Sequence, residues 1–372
     1  MNSSKDRQRP LVVQYLYVHG QDEEFFYPNA RSAATAAGAA RRYLECALVQ
    51  AASLRLRGDA EVELALATNI THRDALGRVG GELLARIEAL GVEIVPTEYR
   101  RRPPEDSATF FSSRYVLDAI VELAARNPDD RPMLFTDLDC VWVNPQRLFD
   151  SVPQAPEIGC VHILYPLDWD VVGFGDEART RAKLGEMAAT LGTPTTLGTP
   201  AATLAPAAQE PAPWVGGELL AGTGASLRAM VEECDRLDRE LSGMGRVLPT
   251  EEQILTLAGN LGTVPFVNLS KAAYRVHTGP RHEAPPVKAP LSLGLWHLPA
   301  EKGLSLRRAA GQLRRGRTAP LRRDLAEPRR LARRFNVLGT GLGRRFRDDG
   351  WIAGRKVYGA LSSRIGALPP PA

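Results

Sequence analysis

Cysteine is scarce, at 4 in 372 residues. Cys46, Cys140, Cys160 and Cys234 form no C-x-x-C pair, and their spacings match no zinc template. This excludes a disulfide-stapled scaffold and a zinc module, and free thiols in a reducing compartment are expected. Long apolar runs are missing too. Nothing approaches the roughly 18 consecutive apolar residues of a spanning helix. The opening MNSSKDRQRP is followed by Leu11–Val18, which contains Gln14 and two tyrosines and reads as a strand, not as a signal-peptide core. A large net charge is absent as well (+4), and with 44% hydrophobic and 24% charged residues the chain is not wholly disordered. The length suits one large domain or two, with enough chain to bury a core.

The small net charge hides a segregation. Residues 301–372 hold 18 Lys/Arg against 5 Asp/Glu, whereas the other 300 hold 29 against 38. An acidic body therefore carries a basic arm, and paired arginines (Arg307-Arg308, Arg314-Arg315, Arg322-Arg323, Arg329-Arg330, Arg333-Arg334, Arg344-Arg345) run along it. Leu331, Phe335, Leu338 and Leu342 interleave with them at helical spacing. Two readings stay open: a surface for anionic groups such as lipid heads, or a helical tail laying its Leu/Phe side on the body. Glycines 339, 341 and 343 weaken a continuous helix.

Strands and helices alternate through the first half. Strands are expected at Val12–Val18, Val62–Ala67, Val92–Val95 and from Met133 to Thr136. Helical stripes run through Leu44–Ala52, Val79–Leu90 and Tyr115–Ala124, with 21–40 left as an Ala-rich loop. This pattern predicts an α/β fold with a mostly parallel sheet flanked by helices. Further on, Ile158–Leu164 and Val264–Val267 read as strands, Leu227–Leu241 as a helix, and Thr250 as the start of another. Residues 190–213, with the imperfect repeat LGTPTTLGTP, read as a flexible surface loop, and 279–290 as a Pro-rich connection. The expected organisation is a catalytic domain over 1–303 and an Arg-rich helical arm over 304–372.

The sharpest chemical signal is Phe135-Thr136-Asp137-Leu138-Asp139-Cys140-Val141-Trp142. Two carboxylates lie two residues apart at the end of an apolar strand, where ligands gather in open α/β sheets. Close carboxylates repel unless a proton or cation relieves them. A divalent cation would do so, and its preference for oxygen ligands suits a bridge to a diphosphate.

On these residues the sequence resembles the GT-A nucleotide-sugar glycosyltransferases, whose Asp-x-Asp motif follows three β/α units. Trp214-Val-Gly-Gly-Glu-Leu-Leu-Ala-Gly222 is similar to the glycine-pair segment of retaining, blood-group-type members; there Gly216 and Gly217 would let backbone approach the ligand beside Glu218. A helix-start turn is the plainer reading. Thr250-Glu251-Glu252-Gln253 is similar to an acidic element near the anomeric carbon, with Glu252 touching the sugar, and is also a capping box. Leu295-Trp296-His297…Lys302-Gly303 resembles the late His-Lys-Gly element of glycogenin-type members, with the spacing to Lys one residue shorter and the KPW ending absent. His277 in Arg275-Val-His277-Thr competes as the ligand.

The resemblance implies a GT-A fold with a basic helical extension and a UDP- or GDP-sugar donor. It implies Mn²⁺ or Mg²⁺ on Asp137, Asp139 and His297. His19, Arg114, Asp137, Gly216, Gly217 and Lys302 would hold the donor, His19 on position alone. Glu218 and Glu252 are the candidate catalytic carboxylates, with retention favoured. Partners would be the nucleotide sugar, a glycan, lipid-linked or small-molecule acceptor, and an anionic membrane surface met by 304–372. Nucleic acid is disfavoured, and a cytoplasmic, peripheral location is expected.

Three alternatives stand beside this. A haloacid-dehalogenase-type phosphatase also uses Asp-x-Asp after a strand, but about 135 residues precede the motif here, and the later Asp348-Asp349 pair lies in the basic arm. A sugar nucleotidyltransferase would carry an N-terminal Gly-rich Lys/Arg loop, which 18–31 lack. The third is a non-enzymatic binder working through the arm.

Overall fold

The computed structural model describes residues 9–20, 35–58, 61–103, 111–163, 187, 191, 214–276 and 291–338. The expected loop 190–213 (Leu191 apart), the connection 279–290, His277, and the arm beyond 338 lie outside them.

Seven strands form the central sheet: β1 (Leu11–Leu16), β2 (Glu63–Thr68), β3 (Val92–Pro96), β4 (Pro132–Thr136), β6 (Ile158–Ile163), β7 (Trp214–Thr223) and β8 (Phe266–Asn268). They lie in the order β3-β2-β1-β4-β7-β6-β8. The strands from β3 to β4 are mutually parallel; β7 runs antiparallel to both β4 and β6, and β8 is parallel to β6. The fold is therefore α/β with a mostly parallel sheet. A second sheet of three short strands, in the order β5-β10-β9, contains β5 (Cys140–Trp142), β9 (Ala273–Arg275) and β10 (Leu295–His297).

Alternation along β1 divides the core in two. Val12 and Leu16 join a buried cluster with α1 (Ala36–Arg55) and α2 (Gly77–Glu88). Leu11, Val13 and Tyr15 join one with α3 (Tyr115–Ala125), α5 (Gly224–Gly243) and α6 (Glu251–Asn260); the short α4 (Pro145–Phe149) follows β5. Helices thus cover both faces, as a parallel sheet requires. Capping sets several boundaries. Thr35 Oγ1 accepts from Gly38 N at 3.1 Å, and Thr250 with Gln253 forms the expected capping box.

Two local readings are corrected. The segment 36–40, taken as loop, is the first turn and more of α1, with Ala39 and Ala40 buried. Alanine leaves no amphipathic stripe, yet it is the best helix former. The segment 214–222 lies within β7, a wholly buried ten-residue strand, rather than in a turn. Its paired glycines mask the strand pattern.

The described part of the arm packs on the body. Helices α7 (Ser305–Arg314), α8 (Ala319–Leu325) and α9 (Pro328–Arg334) send Leu306, Leu313, Leu321, Leu331 and Phe335 into the same buried cluster as Leu44 and Leu48 of α1. Nine arginines of 305–338 remain exposed: Arg307, Arg308, Arg315, Arg317, Arg322, Arg323, Arg329, Arg330 and Arg333. The apolar side of the arm's described helices thus lies on the body, as one of the two sequence readings has it. Among the described residues no helix is long and apolar enough to cross a membrane.

Phe335 is fully buried. Phe335→Ala should destabilise the chain by about 3–5 kcal/mol. Denaturant unfolding followed by fluorescence and circular dichroism should report one shared transition.

Candidate active site

The site is assembled at the carboxyl end of β4. Asp137 and Asp139 follow that strand directly, and Asp139 leads into β5. In the small sheet His297 stands in register between Cys140 and Arg275. This pairing carries a residue from late in the chain to the acidic pair. Leu298 N donates to Asp139 O at 2.9 Å and closes the junction.

The candidate ligands come together. His297 Nε2 lies 3.3 Å from Asp137 Oδ2 and 3.3 Å from Asp139 Oδ2. Asp137, Asp139 and His297 each offer an atom within 4.8 Å of the others. Tyr15 donates its hydroxyl to Asp137 Oδ1 at 2.6 Å, which turns Oδ2 toward the histidine. Lys302 Nζ lies 3.1 Å from Asp139 Oδ2 and donates to Tyr43 OH at 3.3 Å. Behind the motif, buried Gln50 donates to Thr136 Oγ1 at 2.8 Å and to Asp137 O at 3.0 Å.

Charge compensation sets the ionisation states. Burial pushes the Asp137 carboxyl up, and Asp139 adds to that against the pull of His297. Burial works the same way on Asp139, but Lys302 and His297 together hold it below the usual carboxylate range. Burial would discharge His297 and Lys302; Asp139 outweighs it and raises both. The residues fit a divalent cation. The set is two carboxylates and an imidazole, and Asp139 Oδ2 is buried without a well-formed hydrogen bond. The second nitrogen of His297, Nδ1, faces Glu218 Oε1 at 4.0 Å, as ligating histidines commonly face a carboxylate.

A bulge in β7 supplies the next carboxylate. Cys160 pairs with Leu220 and Val161 with Gly216, so Gly217, Glu218 and Leu219 are in excess over β6. Asp137 N donates to Glu218 O at 3.1 Å, which ties the bulge to the acidic motif. The paired glycines make room for side chains. A Cβ on Gly216 would lie 2.2 Å from Glu218 Oε2, and one on Gly217 2.2 Å from Glu251 Oε1.

Arg275 joins two candidate catalytic groups. Its Nη2 lies 2.6 Å from Glu218 Oε2 and 2.6 Å from Glu252 Oε1. Glu252 also accepts from Trp214 Nε1 at 3.0 Å and Gly217 N at 3.1 Å. Burial pushes the Glu252 carboxyl up, and Arg275 with these donors brings it down overall. Its neighbour Glu251 goes the other way: burial, and then Glu252, push it up to about 8.

Sequence reasoning missed Tyr15, Gln50, Arg275 and Glu251. Arg275 had one signal, its place two residues before a histidine. Tyr15 and Gln50 look like ordinary strand and helix residues. Arg114 is buried, and its guanidinium pairs with Asp238 of α5 rather than with the acidic pair. His19 lies just beyond β1, buried and edge-on to Tyr17 with ring centres 5.1 Å apart. All four cysteines are free, as expected, and all are buried.

No family model and no curated protein matches the sequence. Solved structures do. A galactosyltransferase, LgtC, in complex with donor and acceptor sugar analogues matches at 13% identity and TM-score 0.39, over 77% of this chain and 86% of that one. Mouse xyloside xylosyltransferase 1 in its apo form matches at 13% and 0.43, over 78% and 97%. The apo bifunctional glycosyltransferase WbbM matches at 12% and 0.42, over 80% and 46%.

The buried Glu251 predicts a pH dependence of stability. The folded chain keeps a proton on this group up to about pH 8, whereas the ordinary carboxyl value is 4.5. The contribution is therefore full below pH 4.5 and is lost as pH climbs through 8. Thermal unfolding across this window should show Glu251→Gln losing less stability with rising pH than the unaltered chain.

Proposed function

We propose that this chain is a metal-dependent glycosyltransferase of the hexosyltransferase class. It moves a sugar from a UDP- or GDP-sugar to an acceptor hydroxyl, with retention at the anomeric carbon. The observation that carries this reading is the Asp137–Asp139–His297 group at the end of β4, with Lys302 beside it. An oxygen-and-imidazole donor set next to a buried ammonium suits Mn²⁺ or Mg²⁺ together with a diphosphate.

Asp137, Asp139 and His297 would hold the metal, which would supply Lewis-acid stabilisation of the departing nucleoside diphosphate. Lys302, kept charged by Asp139, would place a second positive charge on the phosphates. Arg114 is proposed to add to this, and His19 to border the nucleotide base. Gly216 and Gly217 would shape the wall beside the donor. Glu218 and Glu252 are the candidate carboxylates to meet positive charge on the sugar; Arg275 bonds to both oxygens of Glu218 and to Glu252, which Gly217 N and Trp214 also hold. Arg275 holds the two carboxylates in place relative to each other.

The acceptor would be a glycan, a lipid-linked saccharide or a small molecule. In this reading 1–303 carries the catalytic machinery and 304–372 the arm, whose exposed arginines face an anionic membrane from the cytoplasmic side. Nucleic acid is disfavoured on family analogy alone, since many GT-A enzymes act on lipid-linked acceptors.

A donor panel with Mn²⁺, Mg²⁺ or chelator, scored for nucleoside-diphosphate release, tests the central claim. Asp139→Ala should lower turnover about a hundredfold or more while circular dichroism stays unchanged. Release of inorganic phosphate from simple phosphomonoesters instead would favour the phosphatase. NMR of the product linkage reads the stereochemistry, and an inverted anomeric centre would remove the retention proposal.

The membrane contact has its own test. Arg322→Glu, Arg329→Glu and Arg333→Glu, all at exposed positions, leave the packed side of the arm intact. They should abolish flotation with phosphatidylglycerol-rich vesicles. Undiminished flotation would rule out this face of the arm.

A further inference from the structure

We infer that Asn336, at the end of the arm's last helix, is a positioning residue for Lys302, and that the arm thereby completes the candidate site. The inference rests on the reading of Lys302 as the group that meets a donor diphosphate.

The link is a short chain of contacts. Asn336 Nδ2 donates to Glu301 Oε2 at 3.1 Å. Glu301 is wholly buried and immediately precedes Lys302. The same oxygen accepts from Ser305 N at 3.4 Å and from Ser305 Oγ. Glu301 N donates to Leu298 O at 2.9 Å, and Leu304 N to Glu301 O at 3.0 Å. One carboxylate thus ties together the turn between His297 and α7, and Lys302 rides on that turn.

The clamp is anchored on its far side as well. Asn336 has a left-handed backbone, φ 59°, a conformation that asparagine tolerates better than most residues. Val337 N donates to Ala332 O at 2.8 Å in that turn. Phe335 is buried, and Arg334 pairs with Asp324 at 2.7 Å and with Gln312. Glycine would satisfy the backbone more easily, but it would leave Glu301 without the amide. Lysine has a flexible stem that holds one position only when its surroundings fix it. Here the stem starts from a turn held by the arm and ends 3.1 Å from Asp139.

The test uses the full chain with Asn336→Gly, which keeps the backbone and loses the amide, and Asn336→Asp, which sets a carboxylate against Glu301. Lys302 acylation by an amine-reactive ester is followed by mass spectrometry, with exposed Lys271 as internal standard. Labelling of Lys302 should rise about tenfold with Lys271 unchanged. Unchanged Lys302 labelling in Asn336→Gly overturns the inference, whether or not Asn336→Asp folds. Calorimetry then separates positioning from general stability. In Asn336→Gly, Mn²⁺ alone should bind within about twofold of the unaltered chain, while UDP or GDP at saturating Mn²⁺ binds about tenfold more weakly. Adding Asn336→Gly to Lys302→Ala should cost nothing further. Equal losses of metal and nucleotide affinity, or additive losses in the double variant, overturn the inference. If the unaltered chain binds neither nucleotide, the donor reading fails while the labelling still decides the clamp.

Discussion

Asp139 is the constraint on which the site depends. Its carboxylate is 1% exposed, and a buried anion in a low-dielectric setting persists only beside compensating charge. Lys302 and His297 supply that charge from a segment far along the chain. Their delivery explains features that otherwise have no purpose. The three-stranded sheet sets His297 opposite Cys140, and the turn after it returns Lys302 to the same carboxylate. The arm meets that turn through Asn336, which donates to Glu301.

A second layer repeats the pattern. The β7 bulge puts Glu218 beside Asp137, and Arg275, in register with His297, lies between Glu218 and Glu252. One guanidinium with several donors can serve two carboxylates at once, which a lysine does less well. Glu251, without such a partner, stays protonated at neutral pH. Adjacent glutamates of one capping box therefore carry different charge, set by which of them reaches Arg275.

Much of the frame was legible in the residues. The first strand, the Val92 strand, the Tyr115 helix and the Leu227 helix fell close to their expected places, because their apolar spacing is strong. The start of α1 was not, since alanine leaves no stripe, and β7 was hidden by its glycines. Strands β5, β9 and β10 have three residues each, too few for any period. At the site, Asp137, Asp139, His297 and Lys302 were legible as residue types in a pattern. Tyr15, Gln50 and Arg275 were not, because their roles come from partners distant in sequence.

The sequence by itself determined the alternation that makes an α/β sheet, the acidic motif at a strand end, and the separation of charge between body and arm. These are local properties, written in spacing and composition. Only the tertiary structure decided which distant cations meet the acidic pair, which of two neighbouring glutamates keeps its proton, and that the arm's first helices belong to the core. Each of these depends on burial and on distances across strands, and neither is a property of any single stretch of chain.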